Sequence, residues 1–385
     1  MGNERATQLL EALIELLDIP PSYYKKAEER YLSLGDWFHR EGSKVAKLSP
    51  HVHLQGSFLY GTVTRPLFKG EEFDLDLVAL VQLAKAGVTQ KVLKALIGDE
   101  IKAYAEAHSF KENPEEKKRC WRLNYADDVS FHMDILPAIP EDLRVIEELV
   151  ASGVTAELAA TAIAITDLRH REYGVITSNW PSSNPKGFAG WFEGRMRQSA
   201  MPRIRMLVEG REYASVEDVP PYEWKTTLQR SIQILKRHRD VMFKDADEWA
   251  PISMIITTLA AHAYGGQDDL YEALTAIVDG MPKYVRDRKP RVPNPVNPAE
   301  DFADRWATDP RYEEHFWLWH TQVKADIDSL PNLIGTERLE REIRKRLLVN
   351  LTPDHMRMFP VVAVPAIAKP TIQISTPAKP WGSGR

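Results

Sequence analysis

Residues 73–83 read Phe-Asp-Leu-Asp-Leu-Val-Ala-Leu-Val-Gln-Leu and are the most strand-like stretch of the chain. Branched and aromatic apolar residues favour a β-strand, in which successive side chains point to opposite faces. Asp74 and Asp76 therefore share one face, and apolar side chains occupy the other. Their Cα atoms are expected about 6.6 Å apart, from a rise of about 3.3 Å per residue. Two carboxylates at that spacing can reach a common metal ion.

A second stretch, residues 129–139, repeats the alternation of apolar and polar side chains and places Asp134 on its polar face. Neighbouring strands lie about 4.8 Å apart. If this strand pairs with residues 73–83, Asp134 lies beside the first two acids. The sequence therefore predicts a cluster of three carboxylates, from Asp74, Asp76 and Asp134.

Three clustered carboxylates repel one another unless cations neutralise them. We predict a pair of Mg²⁺ ions, with Mn²⁺ as a substitute, because Mg²⁺ prefers hard oxygen ligands and leaves room for substrate phosphates. Two metal ions about 3.5–4 Å apart can clamp an in-line phosphoryl displacement. Asp134 is also the predicted acceptor of the attacking hydroxyl's proton.

A glycine-rich element precedes the acidic strand. Gly56-Ser57 and Gly61-Thr62 follow the strand candidate His51–Leu54. Backbone N–H groups at such a turn, with the Ser57 hydroxyl, can cradle phosphate oxygens. We find no Walker loop, dinucleotide-binding glycine pattern or Gly-x-Ser-x-Gly elbow in the sequence.

Composition narrows the class of protein. A length of 385 residues suits two packed lobes. The net charge of -5, from 50 Lys and Arg against 55 Asp and Glu, disfavours a basic surface for long nucleic acids.

Location is predicted from three observations. The chain has one cysteine, Cys120, which suits a reducing cytoplasm. The polar start Met1-Gly2-Asn3-Glu4-Arg5 predicts no signal peptide. No stretch reaches the roughly 18 apolar residues that a membrane span needs.

The hydrophobic periodicity predicts an α+β fold. We expect a mixed α/β lobe over 1–215 with N-terminal helices, a helical lobe over 216–350 and an extended proline-rich tail over 351–385. The predicted helices cover about 6–19, 22–40, 89–108, 141–160, 222–243, 251–264, 268–280, 299–325 and 336–350. The further predicted strands are Cys120–Tyr125, Thr161–Asp167 and Tyr173–Thr177, and residues 178–221 are expected to cross between the lobes.

The chain resembles the polymerase-β nucleotidyltransferase superfamily in three stretches: Gly56-Ser57, Phe73-Asp74-Leu75-Asp76-Leu77 and His132-Met133-Asp134-Ile135-Leu136-Pro137-Ala138. Later stretches resemble the bacterial CD-NTases, which are relatives of oligoadenylate synthase and cyclic GMP–AMP synthase. These stretches are Gln233–Asp240, Trp180–Trp191 and Asn294–Trp306. The resemblance covers most of residues 50–320.

This resemblance implies a polymerase-β-like lobe with a mixed sheet, a helical C-terminal lobe and an active site in the cleft between them. It implies synthesis of a cyclic di- or trinucleotide from NTPs, with ATP among them, and release of pyrophosphate in CBASS anti-phage signalling. The implied partners are HORMA-type or ubiquitin-transfer-like accessory proteins and an effector that the product activates. In the family a lysine and a serine contact the donor triphosphate, and Lys236 and Ser253 occupy the matching places.

Other interpretations stay open from the sequence. Lys236 is equally compatible with a salt-bridged surface lysine, and Ser253 with an ordinary helix-start residue. The same core also serves template-independent enzymes that make linear oligonucleotides and enzymes that modify proteins. A nucleotide-sensing scaffold without catalysis is the non-enzyme alternative.

Overall fold

The computed structural model describes residues 2–68, 70–125, 131–198, 225–333 and 335–357. Its strands are His51–Leu54 (β1), Phe73–Leu80 (β2), Glu115–Glu116 (β3), Trp121–Tyr125 (β4), Phe131–Pro140 (β5), Ile163–Ile165 (β6), Ser182–Ser183 (β7), Pro293–Asn294 (β8) and Asn297–Asp301 (β9). Its helices are Gly2–Leu17 (α1), Pro21–His39 (α2), Gly56–Leu59 (α3), Gln90–Ala107 (α4), Leu143–Ala151 (α5), Ala156–Ala159 (α6), Pro185–Met196 (α7), Thr227–Met242 (α8), Ser253–Ala263 (α9), Leu270–Gly280 (α10), Arg311–Ser329 (α11), Thr336–Leu347 (α12) and Pro353–Arg357 (α13).

A mixed sheet organises the first part of the chain, with strand order β1-β2-β5-β4-β3 and with β6 and β7 continuing from β5. The strands β2 and β5 are parallel, whereas β1 pairs with β2 and β4 pairs with β5 in antiparallel fashion. Parallel neighbours need a long crossover, and α4 with the β3–β4 hairpin supplies it. The predicted α+β fold with a mixed sheet is confirmed.

Two large hydrophobic cores and one small cluster, around Leu136 and Ile163 on the sheet, form among the described residues. The first packs α2 and α4 against the apolar face of the sheet, through side chains such as Leu75, Leu77 and Met133, none of which is exposed. The second is helical and is built around α8 to α11. The N-terminal helix α1, which we predicted to lie in the first lobe, contributes its leucines to the second core.

Two sequence predictions are wrong in the middle and late chain. Tyr173–Thr177 is not a strand, because the edge position beside β6 is taken by Ser182–Ser183. The helix predicted from 299 begins only at Arg311. Residues 293–301 form a hairpin instead, since three prolines keep the backbone extended and the Asp301 carboxylate accepts hydrogen bonds from two backbone amides opposite.

Other predictions fall partly outside the described residues. The predicted lobe boundary falls within residues 199–224, which lie outside the described residues. Residues 358–385 of the predicted tail also lie outside them. The described start of that tail contains the short helix α13 and is therefore not extended throughout. The predicted crossing segment likewise contains α7, whose first turn is capped by Asn184. Within the described ranges, every helix is too short or too polar to span a bilayer.

Candidate active site

The pairing of β2 with β5 brings the three predicted acids to one face of the sheet. Asp76 lies directly opposite Asp134, and Asp74 lies opposite His132. The alternating side chains of both strands are buried in the first core, which forces the acids to the other face. The predicted placement of Asp134 beside the first two acids is confirmed.

The glycine-rich element lies against the acid pair. The Gln55 amide donates to the Asp76 carbonyl at 2.8 Å, so the chain leaves β1 beside Asp76. Gly56, with φ of 65°, then begins the four-residue helix α3, where we predicted only a turn. A Cβ added at Gly56 would collide with a carboxylate oxygen of Asp76. Glycine is thus required here for both backbone conformation and space.

The third carboxylate is bound by an arginine of the neighbouring strand. Arg122 lies opposite Asp134 on β4 and binds it through both oxygens, with Nε–Oδ1 and Nη2–Oδ2 distances of 2.7 Å. Of the residues that the structure describes, no three acidic, histidine or cysteine side chains lie close enough together to hold a metal ion. The predicted convergence on a metal pair is therefore incomplete in this conformation, because Asp134 is held by Arg122.

The acid pair nevertheless fits a divalent cation. Burial, followed by the charges of Asp74 and Asp134, raises the pKa of Asp76 to about 7. Such a carboxylate is destabilised in its charged form, and a nearby positive ion would relieve that cost. Asp74 is largely exposed, with 65% of its side chain accessible, and offers the second hard oxygen ligand.

A cleft of about 930 Å³ opens over this face and is lined by both lobes. Its lining includes four basic side chains, here called the basic wall, beside the acidic Glu71, Glu72 and Asp240: Arg65, Lys236, Arg239 and Lys244. Positive side chains in a cleft attract and orient phosphate groups. The wall is therefore suited to a triphosphate.

Lys236 is buried in this wall and is not the salt-bridged surface lysine of the alternative interpretation. It is 7% exposed, and its Nζ donates to the Thr62 carbonyl at 2.9 Å. Burial and the neighbouring Arg239 lower the pKa of Lys236 to about 8. This position places an ammonium group beside the segment that follows Gly56-Ser57.

One stripe of α8 holds the segment between α3 and β2. Positions 229, 233, 236 and 237 share a helix face. Their side chains donate to four backbone carbonyls within residues 60–65: Gln229 to Tyr60, Gln233 to Val63, Lys236 to Thr62 and Arg237 to Arg65. The helical lobe thus fixes the backbone of the glycine-rich element.

Ser253 begins α9 and also lines the cleft. Its hydroxyl accepts a hydrogen bond from Arg239 Nη2 at 3.2 Å, and Arg239 Nη1 donates to the Pro251 carbonyl at 2.6 Å. Arg239 therefore contacts Ser253 and places its charge near Lys236, the other position inferred from the family resemblance.

The lining of the cleft also includes an acid from β9. Glu300 lies there, hydrogen-bonded at 2.8 Å by the amide of Asn294, which is 4% exposed. The rings of Phe188 and Phe302 lie beside them, 6.1 Å apart. Burial raises the pKa of Glu300. Asn294-Pro295, quoted above for the family resemblance, is the sequence signal for this part of the cleft.

Comparison with known families connects this geometry to an activity. Residues 50–137 match the family model described as the nucleotidyltransferase domain of cyclic GMP-AMP synthase DncV-like proteins. Over this range the chain is similar to DncV-like nucleotidyltransferase domains. All three acids and Gly56-Ser57 lie within that range.

Two curated relatives resemble this nucleotidyltransferase over most of its length. The c-di-GMP synthase of Roseivirga ehrenbergii is 27% identical over 332 residues, which cover 85% of this chain and 80% of that protein. The cyclic dinucleotide synthase CdnG of Bradyrhizobium diazoefficiens is 26% identical over 307 residues, which cover 75% of this chain and 67% of CdnG.

Solved structures share the fold. The CD-NTase CdnG of B. diazoefficiens in complex with GTP superposes with a TM-score of 0.62 at 21% identity, over 89% of this chain and 95% of that one. CdnC of Escherichia coli MS115-1 in its HORMA-deltaN complex gives 0.62 at 13% identity, over 91% and 98%. The predicted resemblance to CD-NTases, the polymerase-β-type fold and the assignment as a nucleotidyltransferase are confirmed.

Gly56→Ala tests whether Gly56 serves the acid pair. Gly42 is the matched control, because it also has positive φ, 86°, but a Cβ added there would meet open space. Each alanine variant should lose about 1 kcal/mol of unfolding free energy from the strained backbone. Only Gly56→Ala should also displace Asp76 and abolish nucleotidyl transfer. Equal activity of the two variants in a turnover assay would contradict this role.

Proposed function

We propose that this nucleotidyltransferase joins two nucleoside triphosphates, GTP among them, into a cyclic dinucleotide and releases pyrophosphate. The observation that carries the proposal is the acid pair Asp74 and Asp76 of β2, which lines a cleft together with the basic wall. The cleft volume lies at the upper end of the range of about 300–1,000 Å³ for ligand pockets, which suits two nucleotides.

We assign phosphate binding and proton transfer to different residues of the site. We assign the triphosphate of the donor nucleotide to the backbone of Gly56 and Ser57 and to Lys236 and Ser253. Binding there sets the α-phosphate over the acid face, and holding two reactants in line removes much of the barrier. Asp134 is assigned as the acceptor of the proton from the attacking hydroxyl.

Divalent cations complete this site in the proposal. Asp74 and Asp76 would hold them, with Asp134 as the third ligand, and Mg²⁺ is the favoured ion because all donors are hard oxygens. When bound, such ions lower the pKa of the attacking hydroxyl and stabilise the leaving pyrophosphate.

Glu300 supports guanine as one of the bases. A carboxylate accepts hydrogen bonds, and the Watson–Crick edge of guanine presents two donors, N1–H and the exocyclic amino group. Adenine presents the unprotonated N1 acceptor at the same place, which a carboxylate repels. The partly buried ring of Phe302, packed on the buried Phe188, supplies apolar surface for the flat face of a base. The GTP bound to CdnG is consistent with this assignment.

The biological setting is proposed from the family. We propose that the product is a messenger of CBASS anti-phage defence that activates an effector, and that the protein acts in the cytoplasm. The complex of CdnC with a HORMA protein supports an accessory partner of that kind here. A ubiquitin-transfer-like partner, linear products and a non-catalytic scaffold stay as alternatives.

Asp74→Asn and Asp76→Asn test the reaction itself. Each variant removes a metal ligand, so turnover should fall roughly a thousandfold, because metal charge stabilisation contributes several kcal/mol. Purified protein is incubated with four NTPs and Mg²⁺, and phosphatase-resistant cyclic products are quantified by chromatography and mass. Asp36→Asn, on the exposed face of α2, is the control and should match wild type. Linear wild-type products, or full activity in either variant, would refute the proposal.

Glu300→Gln tests the guanine assignment. Loss of the carboxylate should lower the preference for GTP over ATP by about tenfold or more, since hydrogen bonds to a charged group contribute about 1.5–3 kcal/mol. ITP lacks the exocyclic amino group, so wild type should discriminate GTP from ITP more strongly than the variant. Glu272→Gln, exposed on α10, is the control. An unchanged GTP to ATP ratio would assign base selection to other residues.

A further inference from the structure

Arg122 occupies a position that the proposed reaction does not use. It projects from β4 onto the acid face, opposite Asp134 in the antiparallel register. Its guanidinium binds both oxygens of Asp134 and approaches Asp74 at 3.9 Å. Both side chains of the pair are mostly shielded from water, with 25% of Arg122 and 17% of Asp134 exposed.

The strand order places Arg122 and the other acids on opposite sides of Asp134, so its carboxylate cannot face both. β5 lies between β2 and β4, so Asp134 has Asp76 on one side and Arg122 on the other. Each neighbour is one strand spacing away, about 4.8 Å. A carboxylate that faces Arg122 with both oxygens cannot at the same time direct them toward Asp76. Of the described residues that line the cleft, Asp74 and Asp76 belong to the acid trio and Asp134 does not.

We propose that Arg122 is a positioning residue that holds Asp134 away from the metal site until a divalent cation draws it across. This inference rests on the proposed function, because it takes the three acids as metal ligands. Without a cation, the guanidinium neutralises Asp134 and part of the charge of Asp74. With a cation bound, Asp134 turns toward β2 and Arg122 releases at least one oxygen.

The contact therefore lowers the apparent affinity for metal. A site whose competent conformation is only partly populated binds more weakly by that fraction. The planar guanidinium holds two oxygens at once, whereas a lysine ammonium keeps the charge without the fork. Arg122→Lys thus separates the bidentate grip from simple electrostatics.

The test measures Mn²⁺ binding to the full chain without nucleotide, from the electron paramagnetic resonance signal of the free ion. Arg122→Lys should bind Mn²⁺ roughly three- to tenfold more tightly than wild type, and Arg122→Gln at least as tightly as Arg122→Lys. Arg119→Lys is the control, since Arg119 pairs with Asp167 away from the acid face. Wild-type affinity in Arg122→Lys, or weaker binding, would overturn the proposal. Arg122→Lys keeps the charge, so it carries the test even if Arg122→Gln fails to fold.

Asp76→Asn distinguishes failure of this inference from failure of the site. If the Asp76→Asn variant loses Mn²⁺ binding while Arg122→Lys equals wild type, the acids hold the metal and the role of Arg122 is wrong. If Mn²⁺ binding survives Asp76→Asn, the metal lies elsewhere and both proposals fail.

Discussion

The parallel pairing of β2 with β5 is the constraint on which the site depends. A shift of one residue in that register would place Asp134 opposite an apolar residue of β2 and turn one set of acids into the first core. The apolar faces of the two strands prevent such a shift, because they are completely buried against α2 and α4. Hydrophobic packing on the other face of the same strands thus offsets the electrostatic repulsion among the clustered acids.

The site also depends on contacts between the two lobes. Four donors on one face of α8 bind four carbonyls within residues 60–65, and Gly56, four residues before that segment, lies against Asp76. The glycine-rich element is therefore held from the helical lobe and from the sheet at once. Movement of α8 relative to the sheet would move the phosphate-binding backbone, which gives the helical lobe a direct physical route to the reaction.

Local patterns predicted much of this arrangement. The alternation of apolar and polar residues along 73–83 and 129–139 was sufficient to predict which face of the sheet Asp74, Asp76 and Asp134 occupy. Side chains alternate between the two faces of any strand because of its backbone geometry. Arg122 and Glu300 could not be found in the same way. Their positions near the site depend on cross-strand register and on the packing of the two lobes, which no short sequence pattern specifies. The extended hairpin near 299 was missed because the charged residues there also suit a helix.

The central claim is that three acids on one sheet face bind divalent cations for nucleotidyl transfer. It is tested most directly by crystallising the protein with Mn²⁺ and a non-hydrolysable GTP analogue and locating the metal by anomalous scattering. The account predicts manganese peaks in contact with Asp74 and Asp76, with the Asp134 carboxylate turned from Arg122 toward them. Peaks away from this face, or bound nucleotide without metal at Asp76, would contradict it.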